Sequence, residues 1–364
     1  MSEAAEIPAD VVAVKDYWPY AQARLEASAW AYFSGGAEQE RGLEKNLQAF
    51  ADYEIIPRVL QDMTQGSTQI DLNGRAYAYP IFLAPVAWQR WAHPEGELAT
   101  AQAAAAMGAP FMVSMQSTSS IEEIRAAAPQ AELWLQWYWH HDRTATEALW
   151  QRCVQAEVTA IVLTLDAPVQ GLRPREQRAG QHRPAHLHTP HLDGFNGAAQ
   201  HFAAAGQSPV FGAGLMHSAP RWHEVQAFIE ACPLPVWLKG VMHPDDARLA
   251  VEVGAAGVMV SNHGARQLDA FPAPVRCLPA VVSAVQGRLP VVLDGGVRSG
   301  SDVFIALALG AQAVAIGRPY VMGLAVGGAA GVAHVLHLLR TELELTMVLS
   351  GCAQIEQISC ERLA

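Results

Sequence analysis

The chain has 364 residues, of which 51% are hydrophobic and 16% charged, so it holds enough apolar material for one large domain or two small ones. The net charge of −11 and the lack of a basic patch with interleaved aromatic residues argue against nucleic acid as a partner. Five scattered cysteines form no C-x-x-C pair, which argues against a disulfide framework or a zinc site. The first residues, MSEAAEIPADVVAV, lack the basic and apolar stretches of a signal peptide. We therefore expect a soluble, cytoplasmic protein.

Two regions are predicted along the chain. Residues 1–79 carry helical patterns followed by a short extended piece, which predicts an N-terminal helical segment with a small hairpin. Residues 80–364 contain eight short apolar segments separated mostly by Ala-rich, helix-period sequence, and the segments start mostly 22 to 32 residues apart. Eight βα units in a row predict a (β/α)8 TIM barrel. A doubly wound open sheet is the alternative, but no G-x-G-x-x-G follows the first strand. The eight segments are PIFLAPVA, PFMVS, LWLQWY, AIVLTLD, VWLKG, GVMVSNH, PVVLDGG and AVAIGRP.

The long connection after the fourth strand, residues 174–222, is predicted to be a lid over the active site, because loops of this length are usually functional. Its uncharged part, 194–216, is the one mildly apolar stretch that a membrane could take up, but its Gly, Asn, Gln and Pro content favours a mobile lid. Four histidines in the loop have neither helical spacing nor an acidic cluster beside them, so we expect no metal site. They are His182, His186, His188 and His191.

Polar side chains follow the predicted strands from the second onward. Each one alone is explained as a cap or a satisfied buried group, but the joint pattern favours an active site at the carboxyl end of the barrel. These residues are Ser114, Gln136, Tyr138, Thr164, Asp166, Lys239, Ser261, His263, Asp294, Gly317 and Arg318. The last two segments, DGGVRSG and IGRP, are either tight turns or a phosphate site. Neutral donors and acceptors such as Gln136 suit a flat heterocycle like a flavin. Lys239 is a Schiff-base nucleophile, a charge for an anionic cofactor, or an ion-pair partner of Asp294.

The sequence resembles the FMN-dependent L-2-hydroxy acid oxidases and dehydrogenases, from about Tyr32 to Cys352. The motifs that carry the resemblance are YFSGGAEQE, LAPVAWQRWAHPEGE, LQWYW, VLTLDAP, WLKGV, VSNHGARQLD, VLDGGVRSG, AIGRP and ELTMVLSGC. The resemblance implies a (β/α)8 barrel, FMN as the cofactor, and oxidation of an L-2-hydroxy acid to the 2-keto acid.

The resemblance also implies roles for individual residues. His263 is similar to the family's catalytic base, Asp166 to the carboxylate that pairs with it, and Arg266 to the substrate-carboxylate clamp. Tyr32 and Tyr138 resemble the two active-site tyrosines, and Arg173 resembles a second active-site arginine. For FMN, the implied ring and ribityl residues are Pro85, Val86, Ala87, Ser114, Gln136, Thr164, Lys239 and Ser261. The implied ribityl and phosphate residues are Asp294, Gly295, Gly296, Arg298, Gly317 and Arg318.

These roles agree with the chemistry of the residue types. Arginine holds a carboxylate in bidentate geometry, and histidine titrates near neutral pH and is a common general base. We expect the nearby Asp166 carboxylate to raise the pKa of His263, and Lys239 to offset negative charge on a reduced flavin. A lysine-dependent aldolase or a flavin-barrel isomerase is the remote alternative, and neither needs the His263 and Asp166 pair beside an arginine clamp.

The preferred substrate and the electron acceptor depend on fewer residues. Gln116 stands where glycolate oxidase has a bulky aromatic residue, and Trp88 is the better candidate of the nearby tryptophans for contact with the substrate side chain. Trp137 and Trp139 are expected to point away from the pocket, into the layer between barrel and helices. Ala87 favours O2 as the acceptor over a quinone or cytochrome, and hydrogen peroxide is then the second product. The resemblance also implies a homo-oligomer, a tetramer.

Overall fold

The computed structural model describes residues 6–180, 184–185, 187–195, 206–211, 216 and 219–364. Eight parallel strands form a closed barrel in which each strand pairs with the next along the chain and the last pairs with the first. The (β/α)8 architecture predicted from the sequence is therefore confirmed. The barrel strands are β3 (Ile81–Leu83), β4 (Phe111–Ser114), β5 (Leu133–Trp137), β6 (Ala160–Thr164), β7 (Val236–Lys239), β8 (Gly257–Ser261), β9 (Val291–Asp294) and β10 (Ala313–Ile316).

Within the described residues, three α-helices and a hairpin precede the barrel. The helices are α1 (Tyr17–Arg24), α2 (Ala27–Ser34) and α3 (Arg41–Gln48), and the strands of the hairpin are β1 (Ile70–Leu72) and β2 (Arg75–Tyr77). β1 and β2 pair antiparallel across Asn73 and Gly74, which have φ values of 55° and 77°. Positive φ at both central residues is the geometry of a tight hairpin turn that Asn-Gly favours. The hairpin therefore follows from its local sequence.

Helices follow most barrel strands and cover the outside of the barrel. They are α4 (Gly96–Met107), α5 (Ile121–Ala127), α6 (Arg143–Gln155), α7 (Pro174–Arg178), α8 (Trp222–Ala231), α9 (Pro244–Glu252), α10 (Pro274–Val285), α11 (Gly300–Ala308) and α12 (Arg318–Ser350). Several begin at a side-chain cap: Ser120, Asp142 and Ser299 each accept a hydrogen bond from a backbone N–H in the first turn. Every residue of the eight barrel strands is buried, as expected for a parallel sheet covered on both faces.

The last helix, α12, is not continuous. Gly327 and Gly328 have non-helical backbone angles, and the two halves of the helix meet so closely that a Cβ at Gly331 would lie 1.9 Å from the carbonyl oxygen of Gly323. Among the described residues, α12 is the one helix whose length and composition alone would allow it to cross a membrane. However, 67% of its most apolar stretch is buried inside the fold, as in a core helix of a soluble protein. The expectation that 194–216 is the one apolar stretch of such length is therefore wrong, and most of 194–216 lies outside the described residues.

Candidate active site

A cavity of about 610 Å³ opens at the carboxyl ends of the barrel strands. It extends along most of the barrel mouth, because residues at or just after every barrel strand line it. Most of the predicted site residues are among its walls, which brings together side chains that are up to 286 positions apart, from Tyr32 to Arg318. Two predicted residues, Asp166 and Ser261, are not on the wall and lie behind it.

His263 and Asp166 form a buried hydrogen-bonded pair. The Nδ1 atom of His263 lies 2.8 Å from Oδ1 of Asp166. Burial lowers the pKa of His263 below its usual value and outweighs the opposing effect of Asp166. The pKa of Asp166 stays below its usual value in spite of burial, because the charges of His263 and Lys239 favour the carboxylate. As expected, Asp166 acts to raise the pKa of His263, but burial, which the sequence did not reveal, has the larger effect. His263 is neutral at neutral pH, and its Nε2 atom is available as a base.

The backbone around His263 is left-handed over three residues. β8 ends at Ser261, and His263, Gly264 and Ala265 have φ values of 59°, 62° and 60°. Such angles are costly for His and Ala and persist only where neighbouring groups enforce them. The turn is held by Asn262, which lies between Ser261 and His263.

Asn262 and Asn46 form a reciprocal amide pair. The Nδ2 atom of each donates to the Oδ1 atom of the other, over 3.0 Å and 2.8 Å. The same Oδ1 of Asn262 accepts a hydrogen bond from the backbone N–H of Ala265. Both asparagines are buried. Sequence reasoning missed this pair, and the 216 positions between its members leave no local pattern that reveals it.

Two arginines and two tyrosines surround the space in front of His263. Arg266 and Arg173 both line the cavity, and the Nε atom of Arg173 donates to the backbone oxygen of Arg266. The guanidinium of Arg266 lies over the Tyr32 ring at 4.7 Å and also donates to the backbone oxygen of Tyr32. Tyr138 lines the same cavity, and burial raises the pKa of both tyrosines, so each keeps its hydroxyl hydrogen. The four side chains can hold a carboxylate close to the base.

Glu176 is a further cavity residue that sequence reasoning missed. Its Oε1 atom accepts a hydrogen bond from Nη2 of Arg266 at 2.9 Å, and its Oε2 atom lies 3.7 Å from Nη1 of Arg173. Glu176 lies on the short helix α7, three positions after the N-cap residue Arg173, and this i, i+3 spacing is the one sequence signal that could have indicated the pairing.

A row of neutral polar groups runs across three neighbouring strand ends. The Oγ atom of Ser114 donates to Oε1 of Gln136, and Nε2 of Gln136 donates to Oγ1 of Thr164. The strand register places these ends side by side: Ser114 is opposite Gln136, and Thr164 is opposite Lys239. All three line the cavity, and the row offers hydrogen bonds to the edge of a flat ring.

Lys239 continues this row as a charged group. Its Nζ atom lies 2.9 Å from Oγ of Ser261 and 3.2 Å from Oδ2 of Asp294, and Ser261 donates to the same carboxylate oxygen. Although burial opposes the charge, Asp166 and Asp294 hold the pKa of Lys239 above its usual value. A protonated lysine is a poor nucleophile, which favours the electrostatic role over a Schiff base. Ser261 is completely buried and lies behind the wall, where its hydroxyl supports Lys239 and Asp294; its contact with a cofactor stays a prediction.

The far end of the cavity is cationic. Arg298 and Arg318 line it, and in the described part of the chain no carboxylate lies within ion-pair distance of either guanidinium. The Nε atom of Arg318 has no hydrogen-bond partner among the described residues. Burial lowers the pKa of Arg298 to about 10 and that of Arg318 well below its usual value. Two half-buried guanidiniums without a carboxylate partner fit a bound phosphate.

Gly295, Gly296 and Gly317 form the backbone of this end. Gly295 and Gly296 have φ values of 112° and 89°, which only glycine adopts readily. A Cβ at Gly296 would lie 2.2 Å from the backbone oxygen of Asn46. The close approach that requires this glycine is therefore to the N-terminal segment rather than to a ligand. Gly317 has an ordinary φ of −111°, and a Cβ there would make ordinary van der Waals contact with Val86 and Ala84.

The segment Pro85, Val86 and Ala87 lines the cavity after β3 and is held from behind by a buried network that the sequence did not reveal. The Glu97 carboxylate accepts hydrogen bonds from the backbone N–H groups of Gln89 and Thr118, at 3.0 and 2.9 Å. Glu97 therefore ties the loop after β3 to the loop after β4. Glu97 is fully buried, and burial raises its pKa. Glu97 is the last residue of the motif HPEGE, and this acidic residue was the one sequence signal for the network.

The residues expected near a substrate side chain lie at the tryptophan-rich part of the wall. Trp88 and Gln116 both line the cavity, and Trp88 donates its backbone N–H to the oxygen of Gln116. Trp137 is fully buried and packs on Trp150 and Phe228 in the helix layer, as predicted. Trp139 packs on the same Phe228, as predicted, but it also lies on the cavity wall. β5 ends at Trp137, and strand alternation does not extend to Trp139.

One cavity thus contains a base, an arginine clamp, a row of polar groups and a cationic end. This combination is typical of a barrel oxidoreductase that works with a phosphorylated flavin. The family model described as FMN-dependent dehydrogenase matches residues 21–364. The chain belongs to this family, and its cofactor is FMN. The residues present fit FMN, because the polar row can contact its ring and the unpaired cations at the opposite end of the cavity can hold its phosphate.

Relatives of known activity match over nearly the whole chain. L-lactate oxidase from Alicycliphilus denitrificans is 43% identical over 363 residues, which cover 100% of this chain and 99% of that protein. Glycolate oxidase from Spinacia oleracea is 41% identical over 355 residues, covering 98% and 96%. The crystal structure of mandelate oxidase with (S)-2-phenylpropionate superimposes with a TM-score of 0.86 at 38% identity, covering 97% of this chain and 98% of that one.

Proposed function

We propose that the protein oxidises an L-2-hydroxy acid to the 2-keto acid and passes the electrons to O2, which gives hydrogen peroxide. The observation that carries this proposal is the His263–Asp166 pair, which faces the clamp of Arg266 and Arg173 across one cavity. The names of the relatives, L-lactate oxidase and glycolate oxidase, support both the substrate class and the acceptor.

The chain's own groups bind the acid and accept its proton. Arg266 and Arg173 hold the carboxylate, and the hydroxyls of Tyr32 and Tyr138 add directional donors. His263 accepts a proton at Nε2, while Asp166 holds Nδ1 and stabilises the imidazolium that forms. Bound FMN supplies the two-electron acceptor. Lys239, fixed by Ser261 and Asp294, keeps a positive charge near the ring contacts, where it offsets negative charge that develops during oxidation.

Arg298 and Arg318 would hold the phosphate of FMN. The backbone of Pro85, Val86 and Ala87 would contact the ring, together with Ser114, Gln136 and Thr164. Gly295, Gly296 and Gly317 would border the phosphate with backbone N–H groups. Trp88 and Gln116 would contact the side chain of the substrate, which makes these two positions the candidates for choosing between small aliphatic and aromatic acids.

The test of the proposal is to mix the purified yellow protein anaerobically with a panel of L-2-hydroxy acids and then to admit air. Bleaching of the flavin identifies substrates, and rapid return of the yellow colour with one equivalent of hydrogen peroxide identifies O2 as the acceptor. Bleaching without reoxidation would assign the electrons to a quinone or cytochrome instead. A panel in which no hydroxy acid bleaches the flavin contradicts the proposed function.

We propose further that the protein is a cytoplasmic homo-oligomer, a tetramer as the family resemblance implies. An exposed apolar patch supports self-association: it joins the end of α12 to the loop at residues 56–60, where the backbone N–H of Arg58 donates to the oxygen of Ser350. Its side chains are Ile56, Val59, Leu60, Leu345, Val348 and Leu349. Sedimentation of the wild type and of Leu349→Glu tests this proposal, and a monomeric wild type contradicts it.

A further inference from the structure

Glu176 is a carboxylate inside a site whose substrate is itself a carboxylate. Its side chain is 6% exposed and lies on the wall of the cavity, in contact with both arginines of the clamp. The side chains of Arg266 and Arg173 are 13% and 10% exposed, so the three charges share an environment that water hardly reaches. In such surroundings each charge needs a partner, because an uncompensated buried charge is costly.

The charges of the clamp can be counted from these contacts. Two guanidiniums and one carboxylate leave a net charge of plus one. Among the described residues, no other carboxylate lies within 4.0 Å of Arg173 or Arg266. The neighbouring carboxylates contact other groups: Asp166 is hydrogen-bonded to the neutral His263 and lies 4.0 Å from Nζ of Lys239, and Asp294 pairs with the same lysine. One negative charge on a ligand therefore neutralises the clamp, and a second would remain unpaired.

Protein groups also occupy part of the hydrogen-bond donors of the two guanidiniums. Arg266 donates through Nη1 to the backbone oxygens of Tyr32 and Gly35 and through Nη2 to Glu176. Arg173 uses Nε on the backbone oxygen of Arg266. These contacts fix both guanidiniums before a ligand arrives, and they leave only part of the donor set for it.

We propose that Glu176 sets the net charge of the clamp to plus one and thereby selects 2-hydroxy monocarboxylates over acids with a second carboxylate near the α-carbon. This inference rests on the proposed function, because it takes Arg266 and Arg173 as the substrate clamp. Glu176 is in this view a specificity residue that acts through the two arginines.

Two ligands of the same shape and different charge provide the test. Oxamate and oxalate are nearly isosteric, but oxamate carries one negative charge and oxalate carries two. Their dissociation constants are measured by the change each causes in the absorption spectrum of the bound flavin, so no turnover is required. The quantity compared between variants is the ratio of the oxamate constant to the oxalate constant.

In Glu176→Gln the clamp gains one positive charge without losing volume, so we expect the ratio to rise about tenfold, which corresponds to ~1.4 kcal/mol. Glu176→Ala is a second neutral variant and should shift the ratio in the same direction. Glu176→Asp keeps the charge and should keep the wild-type ratio. Glu40→Gln is the matched control, because Glu40 pairs with Arg175 on the same helix but lies outside the cavity wall. Its ratio should stay within twofold of wild type.

Two results would overturn the inference. If the ratio stays within twofold of wild type in both neutral variants, or if both ligands weaken by the same factor, Glu176 only holds the arginines in place. If neither ligand perturbs the wild-type flavin, the clamp is wrongly assigned and the inference falls with it. In that event, reduction of the wild-type flavin by a hydroxy acid still decides the proposed function separately.

Discussion

The Nδ1 atom of His263 lies 2.8 Å from Oδ1 of Asp166, and the histidine remains predominantly neutral in spite of this carboxylate because burial lowers its pKa. A neutral imidazole beside an ionised carboxylate is prepared to accept one proton. The pair thus combines two properties that a base needs, a free nitrogen at neutral pH and stabilisation of the charged form once the proton has moved.

Replacement of His263 by Gln should remove the base and leave the cofactor in place. His263 makes no contact with Arg298 or Arg318 among the described residues, so we expect normal FMN content and a rate of flavin reduction at least ~100-fold lower, in line with the usual contribution of a general base. Anaerobic stopped-flow absorbance measures the rate, and the spectrum of the released flavin measures the content. Loss of FMN with the substitution would show that His263 is structural.

The pH dependence of the wild type follows from the direction of the His263 shift. Activity requires neutral His263, so kcat/KM should fall as the pH drops through the pKa of His263. The midpoint of this acid limb of the pH profile should lie below the usual histidine pKa of about 6.5. In Asp166→Asn the carboxylate that raises this pKa is gone, so the limb should move to still lower pH. The plateau should also drop by roughly 10²- to 10⁴-fold, because the imidazolium loses its counter-ion. A limb that moves to higher pH would contradict the assigned pairing.

The Asn46–Asn262 pair should contribute to stability as a unit. Asn262→Ala or Asn46→Ala leaves a buried amide without its partner, which we expect to cost ~1–3 kcal/mol of unfolding free energy. The double variant should cost less than the sum of the two single variants, because the orphaned group is gone. Urea denaturation of the four proteins completes the cycle. Strict additivity would show that the two side chains do not depend on each other.

Glu97 should stabilise the loops after β3 and β4 through its hydrogen bonds. Glu97→Ala leaves the backbone N–H groups of Gln89 and Thr118 unpaired, and we expect a loss of ~1–3 kcal/mol in the unfolding free energy. Glu97→Gln keeps an oxygen acceptor and should lose less. Thermal unfolding followed by flavin fluorescence compares the two variants. Equal loss in both would show that the negative charge, rather than the acceptor, matters.

Sequence reasoning reached the barrel and most of the cavity wall for a physical reason. Parallel strands that are buried on both faces read as continuous apolar runs, and their carboxyl ends meet at one rim. A polar residue directly after such a run, like Lys239 or Thr164, therefore has a predictable location. The break in α12 at Gly327 and Gly328 had no comparable signal, because glycines in an apolar helix also occur without a bend.

The residues that were missed or misjudged depend on distant partners. Glu176 and Glu97 are ordinary helix carboxylates until the fold brings arginines or backbone N–H groups against them. The hydrogen bonds of Ser261 to Lys239 and Asp294 likewise join residues 22 and 33 positions apart. The sign of the His263 shift depended on how deeply the pair is buried, which no local pattern contains.

The pairing of Asn46 with Asn262 has a consequence for biosynthesis. The N-terminal segment leaves the ribosome first, but its partner next to His263 is translated 216 residues later. At the usual 5–20 residues per second, the segment waits roughly 10 to 45 s for that partner. The left-handed turn that carries the base is therefore completed late, after most of the barrel has been made. A nascent chain stalled before β8 holds the first half of the amide pair and none of the catalytic turn.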